Sequence, residues 1–150
     1  MASARLSIDV DVPPDRFFEV VRDYGRYPEF LPGVKAVTVG KRSGHSVEVT
    51  YRLDGRIKVL EFTLLHVETP PSRIEWHLVR GELMKRDEGF WTLDPSPSGG
   101  TTATYAIELE LLPLVPRVLE KALAEQSLPA MLANFKARAE AMHRGRSPAH

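Results

Sequence analysis

Between residues 23 and 33 the chain reads Asp23-Tyr24-Gly25-Arg26-Tyr27-Pro28-Glu29-Phe30-Leu31-Pro32-Gly33. The two prolines exclude a regular α-helix or a central strand, because proline lacks a backbone N–H and fixes φ. We therefore predict a short ordered turn that carries three large apolar side chains, Tyr27, Phe30 and Leu31. These side chains either form a lid over a cavity mouth or pack as core at the sheet edge, which is the commoner use of buried aromatics.

The segment before this turn predicts one strand and one helix. Residues 4–11 alternate apolar and polar side chains, as a half-buried strand does. Pro13 and Pro14 end the strand, and Pro14 or Asp15 begins a helix, since proline fits a first turn and aspartate suits the positive helix end. Apolar residues from Phe17 onward follow helical spacing, and Gly25 is expected to end the helix.

The segment after the turn predicts six strands joined by short connections. Asp54-Gly55 is a strong hairpin signal, and sequential strands with short turns pair antiparallel. The predicted strands are Val34–Lys41, residues 47–54, Ile57–Glu68, Arg73–Arg80, Met84–Asp94 and Thr101–Leu112.

The C-terminal segment, Arg117–His143, has helical apolar spacing. Pro129 is expected to kink or divide this helix, and Ser127 to cap its second part. We predict one domain over residues 1–143, followed by a flexible polar tail over residues 144–150.

This order of elements predicts an α+β helix-grip architecture. A curved antiparallel sheet of about seven strands wraps around the long C-terminal helix, with one or two short helices between the first two strands. Since a curled sheet and a single helix do not easily fill the space between them, we expect an internal apolar cavity, where small ligands usually bind.

Composition excludes several classes of function. Lys and Arg total 20 and Asp and Glu total 20, so the formal net charge is zero and no DNA-binding surface is expected. The absence of cysteine excludes thiolate catalysis, disulfides and Cys-ligated metals. The sequence has no apolar stretch of signal-peptide or membrane-spanning length. We expect a cytoplasmic protein that makes at most transient contact with a membrane.

The pattern Asp-Tyr-x-x-Tyr-Pro-x-Phe-Leu-Pro at residues 23–32 resembles the START-like, helix-grip superfamily (SRPBCC). The nearest branch is the polyketide cyclase/dehydrase or coenzyme Q-binding-like group. Gly81 with residues 85–95, and residues 100–105, also resemble this family, and the similarity covers about residues 4–142.

The resemblance implies an internal cavity for a hydrophobic molecule such as a lipid, quinone, isoprenoid or polyketide. Three functions follow from it. The preferred hypothesis is non-catalytic binding in a bacterial protein. The first alternative is a polyketide aromatase/cyclase, and the second is a protein-binding module similar to a ribosome-associated toxin. The fold alone does not choose among them.

Strand alternation and helical spacing select the candidate cavity residues. Arg80 is in phase with Trp76 and would face inward, where it needs a carboxylate such as Asp87 or Glu88, or an anionic ligand head. Arg80, Glu88 and His66 are the only weak catalytic candidates, and Tyr51 and Tyr105 could orient a ligand head. The cavity set is Tyr27, Phe30, Val49, Tyr51, Phe62, Trp76, Leu78, Arg80, Trp91, Tyr105, Leu128, Met131 and Phe135.

No metal site and no cofactor are predicted. No two of the five histidines, at positions 45, 66, 77, 143 and 150, have the spacing of a helical metal motif. The sequence also has no glycine-rich phosphate loop and no Gly-x-Ser-x-Gly elbow.

Overall fold

The computed structural model describes residues 1–55 and 58–146. Its centre is a seven-stranded sheet in the order β1-β7-β6-β5-β4-β3-β2, in which every neighbouring pair is antiparallel. The strands are β1 (Ala2–Val10), β2 (Val34–Ser43), β3 (Ser46–Asp54), β4 (Val59–Thr69), β5 (Arg73–Gly81), β6 (Met84–Pro95) and β7 (Thr101–Leu111). The predicted start of the fourth strand at Ile57, and part of the Asp54-Gly55 hairpin, lie outside the described residues.

Two short helical elements join β1 to β2. Helix α1 (Pro14–Arg22) begins with proline in its first turn and carries Asp15 near the positive helix end. The predicted turn is a 3₁₀ helix (Tyr24–Glu29) that contains Pro28. A short 3₁₀ helix tolerates this proline because few of its N–H groups need an intrahelical partner.

The C-terminal helix is divided at Ser127, two residues before the predicted break at Pro129. Helix α2 (Arg117–Lys121) continues into a π-helical turn (Ala122–Gln126), and α3 (Leu128–Arg146) follows. Pro129 lies in the first turn of α3, where its missing N–H is not needed. The predicted capping role of Ser127 is wrong: its hydroxyl donates backward to the Leu123 carbonyl over 2.8 Å. Helix α3 extends to Arg146, and residues 147–150 lie outside the described residues.

The two sheet faces differ in what covers them. The inner face packs against α1 and α3: Trp91 of β6 meets Phe17 of α1, with ring centroids 5.7 Å apart, and Phe135 of α3 at 5.1 Å. The outer face carries the alternate polar positions, such as Arg86 and Glu108. The α+β helix-grip prediction is therefore confirmed. No helix of the described residues is long and apolar enough to cross a membrane.

Candidate functional site

Most of the predicted cavity residues lie together in the layer between the inner face and α3. Strand register places these strand residues on one face, because directly paired residues share a side. Eight of the predicted residues are buried and four are partly buried or packed against the core. The buried ones are Tyr27, Val49, Tyr51, Phe62, Trp76, Trp91, Leu128 and Phe135; the others are Phe30, Leu78, Tyr105 and Met131.

Aromatic rings form a continuous wall across this layer. Phe135 of α3 contacts Tyr27 and Phe30, with centroids 5.2 and 5.1 Å apart, so the Pro28 segment packs on the helix. Tyr105 stands between Trp76 and Trp91, at 5.1 and 5.0 Å. Edge-to-face and tilted pairs at these distances are favourable beyond their burial.

Arg80 does not belong to this wall. Its side chain is 69% exposed on the outer face, where its guanidinium lies 3.9 Å from the Glu48 carboxylate. The cause is a β-bulge: Leu64 pairs with Leu78 while Thr63 pairs with Arg80, which leaves Val79 unpaired. One extra residue reverses the side on which later residues of the strand fall. The expectation of an inward Arg80 is therefore corrected.

Glu88 also lies on the outer face, where it pairs with Arg86 at 3.5 Å. The inward carboxylate is Asp87, which was expected only as a partner for Arg80. Asp87 is in regular alternation with Gly89 and Trp91 and pairs across to the buried Leu109. Alternation counted back from Trp91 is the signal that could have placed it, although charged residues occupy four consecutive positions from Lys85 to Glu88.

The Asp87 carboxylate lies deep inside, 6% exposed, and accepts a hydrogen bond from the Trp76 indole N–H over 3.0 Å. Gly89 makes this contact possible, since a Cβ there would lie 2.7 Å from Cζ2 of Trp76. No other described residue donates a hydrogen bond to Asp87. Burial raises the pKa of Asp87 to about 6, against the lowering effect of the Trp76 hydrogen bond.

His66 and Tyr51 form a second buried polar pair on the inner face. The Tyr51 hydroxyl lies 2.9 Å from Nε2 of His66. Burial lowers the pKa of His66 to about 3 and raises that of Tyr51, so both groups are neutral at physiological pH. Nδ1 of His66 is buried without a hydrogen-bond partner among the described residues.

Glu68 holds a separate network at one end of the inner face. Its carboxylate accepts hydrogen bonds from the Tyr24 hydroxyl at 2.8 Å and from Arg42 at 2.7 Å, and Arg22 lies 3.3 Å away. Burial acts to raise the pKa of Glu68, but the hydrogen bonds from Arg42 and Tyr24, with the charge of Arg22, lower it below its usual value. This carboxylate is fully compensated, unlike that of Asp87.

Part of the apolar inner face is incompletely covered. Leu6 of β1 pairs with Tyr105 and therefore faces inward, yet it is 37% exposed. Ile8, Tyr105 and Ile107 nearby are only partly buried. Two contacts hold the C-terminal helices to the ends of β1, on either side of Leu6. The amino group of Met1 forms an ion pair with Glu120 of α2, and the Asp11 backbone N–H donates to Glu140 of α3.

A concavity of about 830 Å³ lies on the outer face and is separate from this layer. Its lining includes the outer-face side chains of Arg5, His77, Glu88, Phe90 and Glu108. Trp76 and Gly89, which alternate with these residues and face inward, also border it. Within the described residues, no group of three or more His, Asp and Glu side chains is placed to hold a metal ion.

Comparisons with known proteins agree with this architecture. Residues 1–140 match the family described as polyketide cyclase/dehydrase and lipid transport. The chain belongs to this family. A search of the curated proteins found no match.

Solved structures of family-like folds superpose closely. An aromatase/cyclase from Streptomyces sp. R1128 has a TM-score of 0.84 at 17% identity, covering 97% of this chain and 96% of that one. A protein from Thermus thermophilus has a TM-score of 0.83 at 19% identity, covering 94% and 99%. A START superfamily protein from Mycobacterium smegmatis has a TM-score of 0.80 at 18% identity, covering 93% and 98%. At these identities the likeness establishes the fold.

Proposed function

We propose that this protein binds a hydrophobic small molecule between the inner sheet face and α3, without altering it chemically. The observation that carries the proposal is the incomplete cover of the apolar inner face at Leu6, which is 37% exposed although it faces the helices. An apolar ligand seated there would remove this surface from water and gain about 25 cal/mol per Å².

The local packing supports this position. Ile107 of β7 has the small, partly buried Ala4 on its β1 side. On its other side the Trp76 ring covers Gly89, so the unfilled volume lies toward β1. Met131 of α3, an adaptable apolar side chain, is also only partly buried. The family description, which includes lipid transport, is consistent with such a role.

A neutral fluorescent probe, N-phenyl-1-naphthylamine, tests the proposal. We expect a saturable rise in its fluorescence with one site per chain. Ala4→Phe places a ring in the partly filled space and should weaken probe binding at least about tenfold, since the ring competes for the same volume. Solvent extraction of the purified protein followed by mass spectrometry would identify a retained ligand.

Ser3→Phe is the matched control, because Ser3 neighbours Ala4 on the same strand but points to the outer face. This variant should bind the probe as the wild type does. Absence of saturable binding to the wild type, or equal binding by both variants, would contradict the proposal.

A second candidate is ring closure of a flexible polyketone, favoured by the buried pair of Tyr51 and His66 beside the same wall. Two neutral groups that can relay a proton suit an aldol closure and dehydration once the chain is held in a bent form. Incubation with a poly-β-ketone substrate tests this candidate. Conversion that His66→Phe abolishes would favour an enzyme over a simple binder.

A further inference from the structure

We infer that Asp87 determines ligand specificity: its carboxylate accepts a hydrogen bond from a neutral hydroxyl on the ligand and excludes ligands with an anionic head. This inference rests on the proposed function and specifies the chemical class of the ligand. That class is an otherwise apolar molecule carrying a phenolic, enolic or alcoholic hydroxyl.

The Asp87 carboxylate is under-satisfied where it lies. A buried carboxylate has about four acceptor sites, and the Trp76 indole N–H at 3.0 Å occupies one of them. No other described residue donates to it. The second carboxylate oxygen keeps a little solvent access, so it can accept a hydrogen bond from a ligand donor that displaces water.

No cation among the described residues reaches Asp87. Arg80, the residue expected to provide one, is on the outer face with Glu48. Arg86, its near neighbour in sequence, turns outward to Glu88 and Glu108. Arg22 and Arg42 are engaged by Glu68. Besides burial, the groups that shift the pKa of Asp87 are the Trp76 N–H, which lowers it, and the charge of Glu88, which raises it. The charge of Asp87 in turn helps to raise the pKa of Tyr51 and Tyr105.

The position of the carboxylate is set by packing. Trp76 lies across Gly89, and its ring also contacts Tyr105 at 5.1 Å. The Tyr105 hydroxyl makes no hydrogen bond to another described residue. Asp87 and Tyr105 thus offer an acceptor and a donor to the same interior, next to the partly covered surface at Ile107.

Charge decides which head groups are accepted. Near pH 8 Asp87 is ionised, so it can accept a hydrogen bond but cannot donate one. A hydroxyl supplies the missing donor. A ligand carboxylate would place a second anion beside the first in a low-dielectric interior, which opposes binding strongly.

Three probes that share one ring system test the inference: 2-naphthol, its methyl ether 2-methoxynaphthalene, and 2-naphthoate. Binding is measured by equilibrium dialysis at about pH 8. We expect the wild type to bind 2-naphthol roughly tenfold or more tightly than the ether, as for a hydrogen bond to a charged group, and to bind 2-naphthoate most weakly.

In Asp87→Leu the preference for 2-naphthol over the ether should fall to about threefold or less, and 2-naphthoate should bind more tightly than it does to the wild type. Asp87→Asn keeps the side-chain shape and should strengthen 2-naphthoate binding as well, which tests the charge if the leucine variant fails to fold. Glu88→Leu is the matched control: it removes a carboxylate one residue away on the outer face and should retain the wild-type order.

Two outcomes separate this inference from the proposed function. If the wild type binds the ether but neither Asp87 variant changes the order of the three probes, the inference is wrong while ligand binding stands. The same holds if the wild type binds 2-naphthoate most tightly. If the wild type binds none of the three, both the inference and the proposed function are overturned.

Discussion

At the scale of single residues, two buried carboxyl groups on the inner face have opposite electrostatic surroundings. Glu68 is held by two arginines and a tyrosine, and its pKa lies below the usual value. Asp87 has one indole N–H, and burial raises its pKa to about 6. Two carboxylates on one sheet face thus differ because only one of them has cations nearby.

The raised pKa of Asp87 predicts a pH-dependent loss of stability. In the unfolded chain this carboxyl has its ordinary pKa of 3.8, so between about pH 4 and pH 6 the folded state binds the extra proton. The free energy of unfolding therefore falls as pH rises through this range. Asp87→Asn removes this titration, and relative to the wild type the variant should gain about 2 kcal/mol between pH 4 and pH 7. Urea denaturation at both pH values measures the difference, and parallel pH profiles would contradict the assignment.

Gly89 gives a second prediction at this scale. A Cβ at this position would lie 2.0 Å from the Ala106 carbonyl oxygen and 2.7 Å from Trp76, so backbone must move to admit it. Gly89→Ala should lower the free energy of unfolding by about 2 kcal/mol or more. Gly33→Ala meets no atom within 4 Å and should have a small effect. Similar denaturation midpoints for the two variants would show that the Gly89 packing is not as described.

At the scale of elements, irregularities decide which side chains face inward. The bulge at Val79 turns Arg80 outward, and the π-helical turn at Ala122–Gln126 precedes α3 where the helix passes the partly covered sheet. Each feature adds a residue to the regular repeat, so neither can be recognised from the spacing of apolar residues in the sequence. The bulge keeps the Arg80 charge off the inner face. The π-helical turn interrupts the C-terminal helix that covers this face.

Deleting Val79 tests the role of the bulge. Without the extra residue, Leu78 and Arg80 would be consecutive and would pair regularly with Leu64 and Thr63, so Leu78 would stay inward and Arg80 outward. Because no charge would be buried and Val79 is exposed, we expect the free energy of unfolding to change by about 1 kcal/mol or less. Val79→Ala keeps the bulge and should change stability by about 0.5 kcal/mol or less. A loss of several kcal/mol in the deletion variant, measured by urea denaturation, would contradict this account.

At the scale of the whole molecule, the sheet and the C-terminal helix close around an interior that is tightly packed at one side and incompletely covered at the other. Phe135, Trp91 and Ile74 are almost fully buried, whereas Leu6 is exposed on the same face. A ligand that fills this space would bind only the folded state and therefore stabilise it.

Thermal unfolding measures this linkage. At about 100 times its Kd, N-phenyl-1-naphthylamine should add about 2.7 kcal/mol and raise Tm by roughly 5–10 °C. Ala4→Phe should remove most of this shift, whereas Ser3→Phe should retain it. A shift of equal size in both variants would place the probe elsewhere on the protein.

Local patterns in the sequence were sufficient for the element order, the antiparallel pairing and most of the aromatic wall. Strand alternation placed Val49, Tyr51, Phe62, Trp76, Trp91 and Tyr105 on one face, because side chains alternate strictly wherever a strand is regular. The same alternation, counted back from Trp91, puts Asp87 inward and Glu88 outward. The tertiary structure alone decided the side of Arg80 and left Asp87 without a nearby cation. A bulge depends on how neighbouring strands pair, and one inserted residue reverses the face of every residue that follows it.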